Sequence, residues 1–516
     1  DETVEPPQND TMIEQEIFVR TNADGTINDV IFYATGISGW AWGSERAEHY
    51  LHHYATRGGF VLTTGGADGK RGQIRASAQG NVQNAPLNVT GVVFQEDEIV
   101  NPYNSGSGRR WYGRSVENGG SLTYTTPLPG LVRNGDIQYH MVVAHKGSTS
   151  GTFTIYENGE AVAQRVVSGV PQYMDTYSAP TSGSINASKI ASDGRSVLRF
   201  AYTCADRSST GLVDWFEVHY PRGLIAVDNE FAFFSDPALN GITEYAVNGF
   251  GSGESYGYDV TDPAHPVRVQ NVAPSGGLFS IRETQSEGSP RRYYITSSLK
   301  SVSLAKVAPL ALRNDAVEGR TGAMIVITNP AHRSSAQKYA DYRRAQGELT
   351  VTVVGTDEIF REFSYGVQDP TAIRDYIGFL YRHAAVKPGY VLLWGDGHFD
   401  YKNISTATPN YIIPFESLDP DDKPHGLSTY TTDDFFVRVQ GNDSRPDLSI
   451  GRMPVTSNTI GENLITKLQH YEAEAATDDW RTRITMIADD GQSGDDSDNS
   501  MHLDQSERLA EFYVPT

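Results

Sequence analysis

Four short stretches of this chain carry side chains able to move protons, hold a cation or attack a carbonyl. Gly395-Asp396-Gly397-His398 puts a carboxylate and an imidazole on a turn that two glycines allow to bend sharply, residue types suited to acid/base or metal work. By residue type alone the plainer reading is stronger: Asp396 caps amides of its own turn and His398 is a loop residue. Thr432-Asp433-Asp434-Phe435-Phe436 sets two acids among aromatic rings, able to orient a histidine or a substrate cation, or equally to cap and pack a turn. Asp489 and Asp490, followed by Asp495, Asp496 and Asp498, give hard oxygen ligands on a Gly- and Ser-rich loop, as a structural calcium requires. Their spacing is not that of an EF-hand, and a solvated acidic loop accounts for them at least as well. The one cysteine, Cys204, lies in Ala201-Tyr202-Thr203-Cys204 with no histidine beside it, and reads as a packed structural thiol rather than a nucleophile.

Other chemistries are excluded. The chain has no Walker-type loop and no zinc-spaced Cys/His set. Its 42 basic residues face 64 acidic ones, a net charge of -22, and no Lys/Arg run is dense enough to neutralise a phosphate backbone. Nucleic acid is therefore not an expected partner, and the acidity speaks to solvation rather than to a site. No apolar run approaches the ~18 to 20 residues that cross a bilayer as a helix. With one cysteine there is no internal disulfide from which a compartment could be read.

The elements that must position these residues fall into two grammars. After a polar N-terminal segment, residues 1–12, the region 13–318 alternates apolar and polar residues in short runs broken by Gly, Asn, Asp and Pro. Asp29 to Ala34, Gly59 to Thr64, Gly91 to Gln95, Ser121 to Thr125, Tyr139 to Ala144, Thr152 to Tyr156 and Asp214 to Val218 each suit a half-buried strand. Asn158-Gly159 between two such runs predicts a hairpin, because both residues tolerate positive φ. The Ser/Gly/Pro-rich stretch from Ser178 to Ser192 predicts a loop, with a boundary between two β domains near 178–230. From 319 to 516 strand and helix alternate: Ala323 to Thr328, a helix from Ser334 that Gly347 can stop, Leu349 to Val354, and a helix opened by Asp369-Pro370. That helix buries Ile373, Ile377, Leu380 and Tyr381. Tyr390 to Trp394 and Asp447 to Arg452 follow, then a helix with Ile460, Leu464, Leu468 and Tyr471 as its apolar stripe, and a fifth strand from Ile484 to Ala488. The expected architecture is multidomain, a β-rich, sandwich-like N-terminal region followed by an α/β doubly wound domain covered on both faces. In such sheets ligands bind beyond the carboxyl ends of the strands, which points to Gly395 to Asp400 and to Asp489-Asp490.

The run Glu358 to Gly366, followed by Asp369-Pro370-Thr371-Ala372-Ile373-Arg374, resembles a hallmark of gingipain-type cysteine peptidases, above all of the sortases of type IX secretion. Leu392 to Gly397, Ile413-Pro414, Thr432 to Phe436, Asp447 to Pro454 and Tyr471-Glu472 agree in order, and Asp214 to Glu217 with Tyr258 to Pro263 resembles the β-rich region those sortases carry. The resemblance implies a caspase- or gingipain-like peptidase fold, present here in its first part, and a catalytic dyad of a Gly-His-Gly histidine and a downstream cysteine. Neither dyad residue matches a position in this sequence, so the chain alone is expected to be inactive; only Asp433 carries over, as a supporting acid near the active site. It further implies a place on the outer face of the bacterial outer membrane, cleavage of C-terminal signal domains from exported cargo proteins and linkage of that cargo to surface lipopolysaccharide. Outer-membrane proteins of the secretion system would be its partners. No cofactor is required, with calcium on Asp489, Asp490, Asp495 and Asp496 as an optional structural ion. Two rivals stand beside it: a secreted gingipain-like protease, and a non-catalytic surface-binding scaffold with a peptidase-like fold.

Overall fold

The computed structural model describes residues 11–65, 67–101, 109–169, 177–251, 253–272, 274–347, 349–416, 431–473, 483–488 and 500–514. The first β domain is a sandwich spanning 88–223. One sheet orders the strands Glu160–Val167, Gly151–Glu157, Arg195–Cys204 and Ser121–Pro127; the other orders Tyr177–Asn186, Asp136–Lys146, Thr210–Gly223 and Asn88–Glu96. Period-2 alternation turns Ile137, Tyr139, Met141 and Val143 of one sheet onto Phe153, Ile155, Leu198 and Phe200 of the other, and all eight are essentially inaccessible to solvent. Asn158 and Gly159, at φ 47° and 89°, make the predicted tight hairpin, with Glu157 paired to Glu160 across it.

The stretch expected to be a loop is instead largely a strand. Tyr177–Asn186 pairs antiparallel with Asp136–Lys146 over ten residues. Ala179 is buried there while Pro180, Ser182 and Ser184 point to solvent, so a Ser-rich composition reflects an outward face rather than an absence of order. Conversely Gly59 to Thr64 forms no strand, and Phe60 and Leu62 are exposed: alternation without a partner ladder does not make a strand.

The second β unit, 224–297, packs Phe231, Phe233, Tyr245, Phe279, Ile281, Tyr293 and Ile295 into its own core. The N-terminal stretch returns to it. Ile74–Arg75 adds to the edge strand Val267–Val269, and the hairpin Ile17–Thr21/Ile27–Phe32 sets Phe18 against Tyr256, Tyr258 and Val260.

The α/β domain begins with α1 (Leu312–Val317), a helix whose signal is too short to read from periodicity. Its first amides donate to the buried Glu362 carboxylate (2.9 Å each), and Ala316 enters the core. Four parallel strands follow: β1 (Met324–Thr328), β2 (Val351–Gly355), β3 (Tyr390–Trp394) and β4 (Ser449–Met453), in the spatial order β2-β1-β3-β4. β1 is buried at every position, as a central strand covered on both faces must be. Helix α2 (Arg333–Ala345) covers one face, where Trp394 stacks on Tyr339 and donates to Ser335 Oγ (3.0 Å). Helices α3 (Thr356–Phe363) and α4 (Pro370–His383) cover the other, with Ile373, Ile377 and Leu380 fully buried against Ile325, Ile327 and Leu393. The helix starts and stops follow sequence chemistry: Asp369 accepts the Thr371 amide (2.7 Å) ahead of Pro370, and Gly347 sits at φ 74° just past α2.

Residues 458–516 form a separate compact unit. In its helix Asn458–Ala473 the buried positions are Gly461 and Ile465, whereas Ile460 and Tyr471 are exposed, so the stripe lies one position round from the expected one. Residues 483–488 are exposed and form no fifth strand; their apolar character has no strand partner among the described residues. A last helix runs Met501–Phe512.

Candidate functional site: the carboxyl rim of the parallel sheet

Strand order reverses between β1 and β3: the chain steps from β1 to β2 on one side and returns to lay β3 on the other. The carboxyl ends of these two strands are therefore the crevice where an open α/β sheet takes its ligand. Thr328 Oγ1 ties them by donating to the Trp394 carbonyl (3.1 Å). Asn329 caps the turn Pro330–His332 and donates to the Tyr411 carbonyl (3.1 Å).

Arg452, near the end of β4, is the hub of the rim. Its Nε and Nη2 form a two-pronged pair with Asp433 (2.9 and 2.7 Å), and its Nη1 donates to the carbonyls of Gly395 (3.1 Å) and Ile412 (2.9 Å). One planar guanidinium thus fixes three segments, a role a lysine could not fill. Asp433, the acid expected to support catalysis, is at the rim, but both its oxygens are held by Arg452. Phe435, two residues on, stacks on Phe415 at 3.8 Å and lies under the Arg374 guanidinium at 4.4 Å. Leu392 to Gly397, Ile413-Pro414, Thr432 to Phe436 and Asp447 to Pro454, dispersed in sequence, meet at this point.

The Gly-Asp-Gly-His turn is built as the plainer reading expects. Asp396 Oδ1 accepts the Gly397 amide (3.0 Å), and the Asp396 carbonyl accepts the amides of Tyr411 and Ile412 (3.1 and 3.0 Å). His398 bonds the Thr408 carbonyl through Nε2 (2.7 Å) and the Asp400 amide through Nδ1 (3.2 Å), so both ring nitrogens serve the loop. Asp400 accepts the amides of Ile404, Ser405 and Thr406 (2.7 Å each); burial raises its carboxyl, but these amides outweigh that and hold it below the usual range.

Sequence reasoning missed His332. It is 3 % exposed, packs at a tilt against Tyr411 with the rings 4.3 Å apart, and its Nδ1 is buried without a hydrogen-bond partner among the described residues. Burial lowers its imidazole below the ordinary value despite a bond to the Thr456 carbonyl, so it is neutral at pH 7. The available signal was position: it follows β1 directly, at the end where sites form.

The post-β3 loop is gripped from outside its domain. Lys402, 4 % exposed, pairs with both oxygens of Glu98 (2.8 Å each), Tyr401 donates to the Arg109 carbonyl (2.7 Å), and Phe399 stacks on Trp111 at 5.9 Å. Tyr54 packs on Tyr401, and His52 Nε2 meets Asp369 Oδ2 at 3.1 Å. Burial raises the Asp369 carboxyl, and the bonds from His52 and Thr371 outweigh it to leave it lowered.

Cys204 is half-buried in the sandwich, not at the rim; its thiol bonds Thr149 Oγ1 (3.3 Å) and packs against the sandwich core. The rim therefore orients backbone and charge but holds no thiol. Asp489, Asp490, Asp495 and Asp496 lie outside the described residues. Among the described residues no group of three or more His, Cys, Asp or Glu is placed to hold a metal ion, and no helix is long and apolar enough to cross a membrane.

Residues 318–516 match the model of peptidase family C25. The fold of the chain is that of the crystal structure of dimeric latent PorU from Porphyromonas gingivalis, with a TM-score of 0.74 at 17 % identity over 94 % of this chain and 47 % of that one. The chain thus spans about half the length of that relative. The Arg-specific cysteine proteinase gingipain R matches over 30 % of each chain at 21 % identity, with a TM-score of 0.21, too low to bear on the argument. No curated protein sequence matches the chain. From residue 318 onward, then, the chain matches the C25 peptidase model, and the β-rich region before it shares its fold with the PorU structure.

Proposed function

We propose that the chain is the front portion of a cell-surface sortase of type IX secretion, a cysteine endopeptidase that removes C-terminal signal domains from exported cargo and links the cargo to surface lipopolysaccharide. The observation that carries this reading is the pairing of a C25 region with a β-rich region whose joint fold follows PorU over 94 % of the chain. A secreted protease of the gingipain kind would share the C25 region without requiring that front. In the proposed chemistry a thiolate attacks the peptide carbonyl, a histidine protonates the leaving amine, and water or a glycolipid amine resolves the acyl-enzyme. The rim here supplies the wall of that site: Arg452 and Asp433 hold the loops that flank it. Partner proteins of the outer membrane, and a structural calcium on Asp489, Asp490, Asp495 and Asp496, belong to the same proposal; calcium titration of the native protein with no heat of binding removes the ion from it. The decisive experiment is intact mass and C-terminal sequencing of the native protein, followed by a cleavage assay on cargo bearing a signal domain. A Gly-His-Gly turn and then a cysteine past Thr516, with cleavage blocked by thiol alkylation, is expected. A native terminus at Thr516 refutes the peptidase reading and favours the scaffold.

A further inference from the structure

A second concavity lies far from the parallel sheet, where the sandwich, the N-terminal hairpin Gly39–Trp42/Ala47–Tyr50 and the second β unit meet. It encloses about 530 Å³, within the range that small-molecule sites occupy. Its floor is the outer face of the sandwich sheet. Pairing sets Val92, His219 and Gln138 side by side in one row and Phe94, Glu217 and His140 in the next. Trp42 and Phe234 pack against each other on the lining, their rings 5.7 Å apart and tilted by 53°, and Asp236 lies beside them.

The charges say which ligands fit. Among the described residues the one cation on the lining, Arg46, is tied to the buried Glu217 carboxylate, which also accepts the His49 amide (2.7 Å) and meets His219 Nε2 at 3.2 Å. Burial, with Arg46 next, pushes the His140 imidazole down to about 4, so it faces the cleft uncharged at neutral pH. Glu45, Asp136 and Asp236 on the rim are acidic and exposed. Phosphates, nucleotides and acidic glycans are repelled, since nothing positive is left to meet them. What remains is uncharged amide, hydroxyl and imidazole groups on a flat sheet, from Gln138, Thr90 and His140, beside an indole. That combination pairs donors and acceptors with hydroxyls while an aromatic face takes the apolar face of a ring. We propose that this cleft binds a neutral oligosaccharide. The inference does not depend on the peptidase reading.

The test is tryptophan fluorescence and saturation-transfer NMR on the full chain with maltotriose, mannotriose, N-acetylchitotriose, an oligogalacturonate and trilysine. A neutral trisaccharide should bind, the oligogalacturonate should not, and Trp42→Ala and Gln138→Ala should each weaken binding at least ~10-fold. Gln138 is exposed, so its variant keeps the fold even where loss of Trp42 disturbs the hairpin. Binding of trilysine alone, no trisaccharide binding at millimolar concentration, or affinity unchanged in both variants overturns the proposal.

Discussion

If Asp433 serves the rim as a clamp rather than as a free acid, neutralising it should loosen three segments at once. Arg452 makes two bonds to Asp433 and two to the carbonyls of Gly395 and Ile412. The side chains are 16 % and 24 % exposed, so the pair is partly screened and sits below the full value of a buried one. Asp433→Asn keeps the shape and one acceptor but sets an amide NH2 against a guanidinium donor, so one bond and the charge assistance are lost, which should cost about 1.5 kcal/mol. Arg452→Met loses all four bonds and strands a carboxylate and two carbonyls, which should cost about 3 kcal/mol.

Global melting is a poor readout in a chain with several cores, so native-state hydrogen exchange is the assay. The reporters are the amides of Gly395, bonded to the Met453 carbonyl, and of Tyr411 and Ile412, both bonded to the Asp396 carbonyl. About 1.5 and 3 kcal/mol correspond to exchange roughly 10-fold and roughly 100-fold faster. Amides of the sandwich strand Gly151–Glu157, which belongs to a separate core, should not change. If Asp433→Asn leaves the three reporters within about twofold of the parent, the pair does not hold the rim and the argument for Asp433 as a positioning residue fails.

Three further perturbations probe the loop and its grip. The Glu96 carboxyl is pushed up to about 8, by burial first and then by repulsion from Asp214 and Glu98. Unfolded, it would titrate near ~4.3. The folded state therefore holds the extra proton between these values, and this contribution to stability, full below the unfolded value, is lost as pH rises through about 8. Denaturant titrations should show the parent losing on the order of 3 kcal/mol relative to Glu96→Gln between about pH 5 and pH 9, and a pH-independent difference would count against the assignment. Lys402→Met leaves Glu98 buried opposite no charge; limited proteolysis should open a site within 398–416 that the parent lacks, and an unchanged digest would mean the pair is not what holds the loop. A Cβ added at Gly397 would collide with the Ile412 carbonyl oxygen, so Gly397→Ala should cost about 2 kcal/mol, read as roughly 30-fold faster exchange of the Tyr411 and Ile412 amides; unchanged exchange would mean the turn can give way.

What could be read ahead of the structure were the features whose cause is local. Asn158-Gly159 must turn because both residues accept positive φ, and Asp369-Pro370 must start a helix because one caps and the other cannot donate. β1 and β3 are apolar throughout because both faces are covered. Errors arose where a pattern depends on a partner. Gly59 to Thr64 alternates like a strand and has nothing to pair with, while Tyr177–Asn186 is a strand because Asp136–Lys146 is there to receive it. The type of Asp433 was legible, but its occupation by Arg452, 19 residues away, was not. His332 carries no motif; only its position after β1 marks it.

The α/β domain depends physically on the β structure that precedes it. The loop after β3 contains a buried lysine, an expensive residue to dehydrate unless a carboxylate meets it. That carboxylate, Glu98, comes from just past the sandwich strand Asn88–Glu96, 304 residues earlier in the chain. Tyr54 and Arg109, at separations of 362 and 292 residues, hold the same loop through the Glu416 carbonyl and the Tyr401 hydroxyl. Within the α/β domain the loop is shaped by turns around Asp396, His398 and Asp400 and by the packing of Tyr401 on Ile413 and Phe360, while the carboxylate that meets Lys402 comes from the β-rich region. The β-rich region is therefore one wall of the rim rather than an appendage to it. Its edge fixes the geometry of the loop that flanks the switch point, and mutations at Glu98 or Trp111 should be felt first at Phe399 to Lys402.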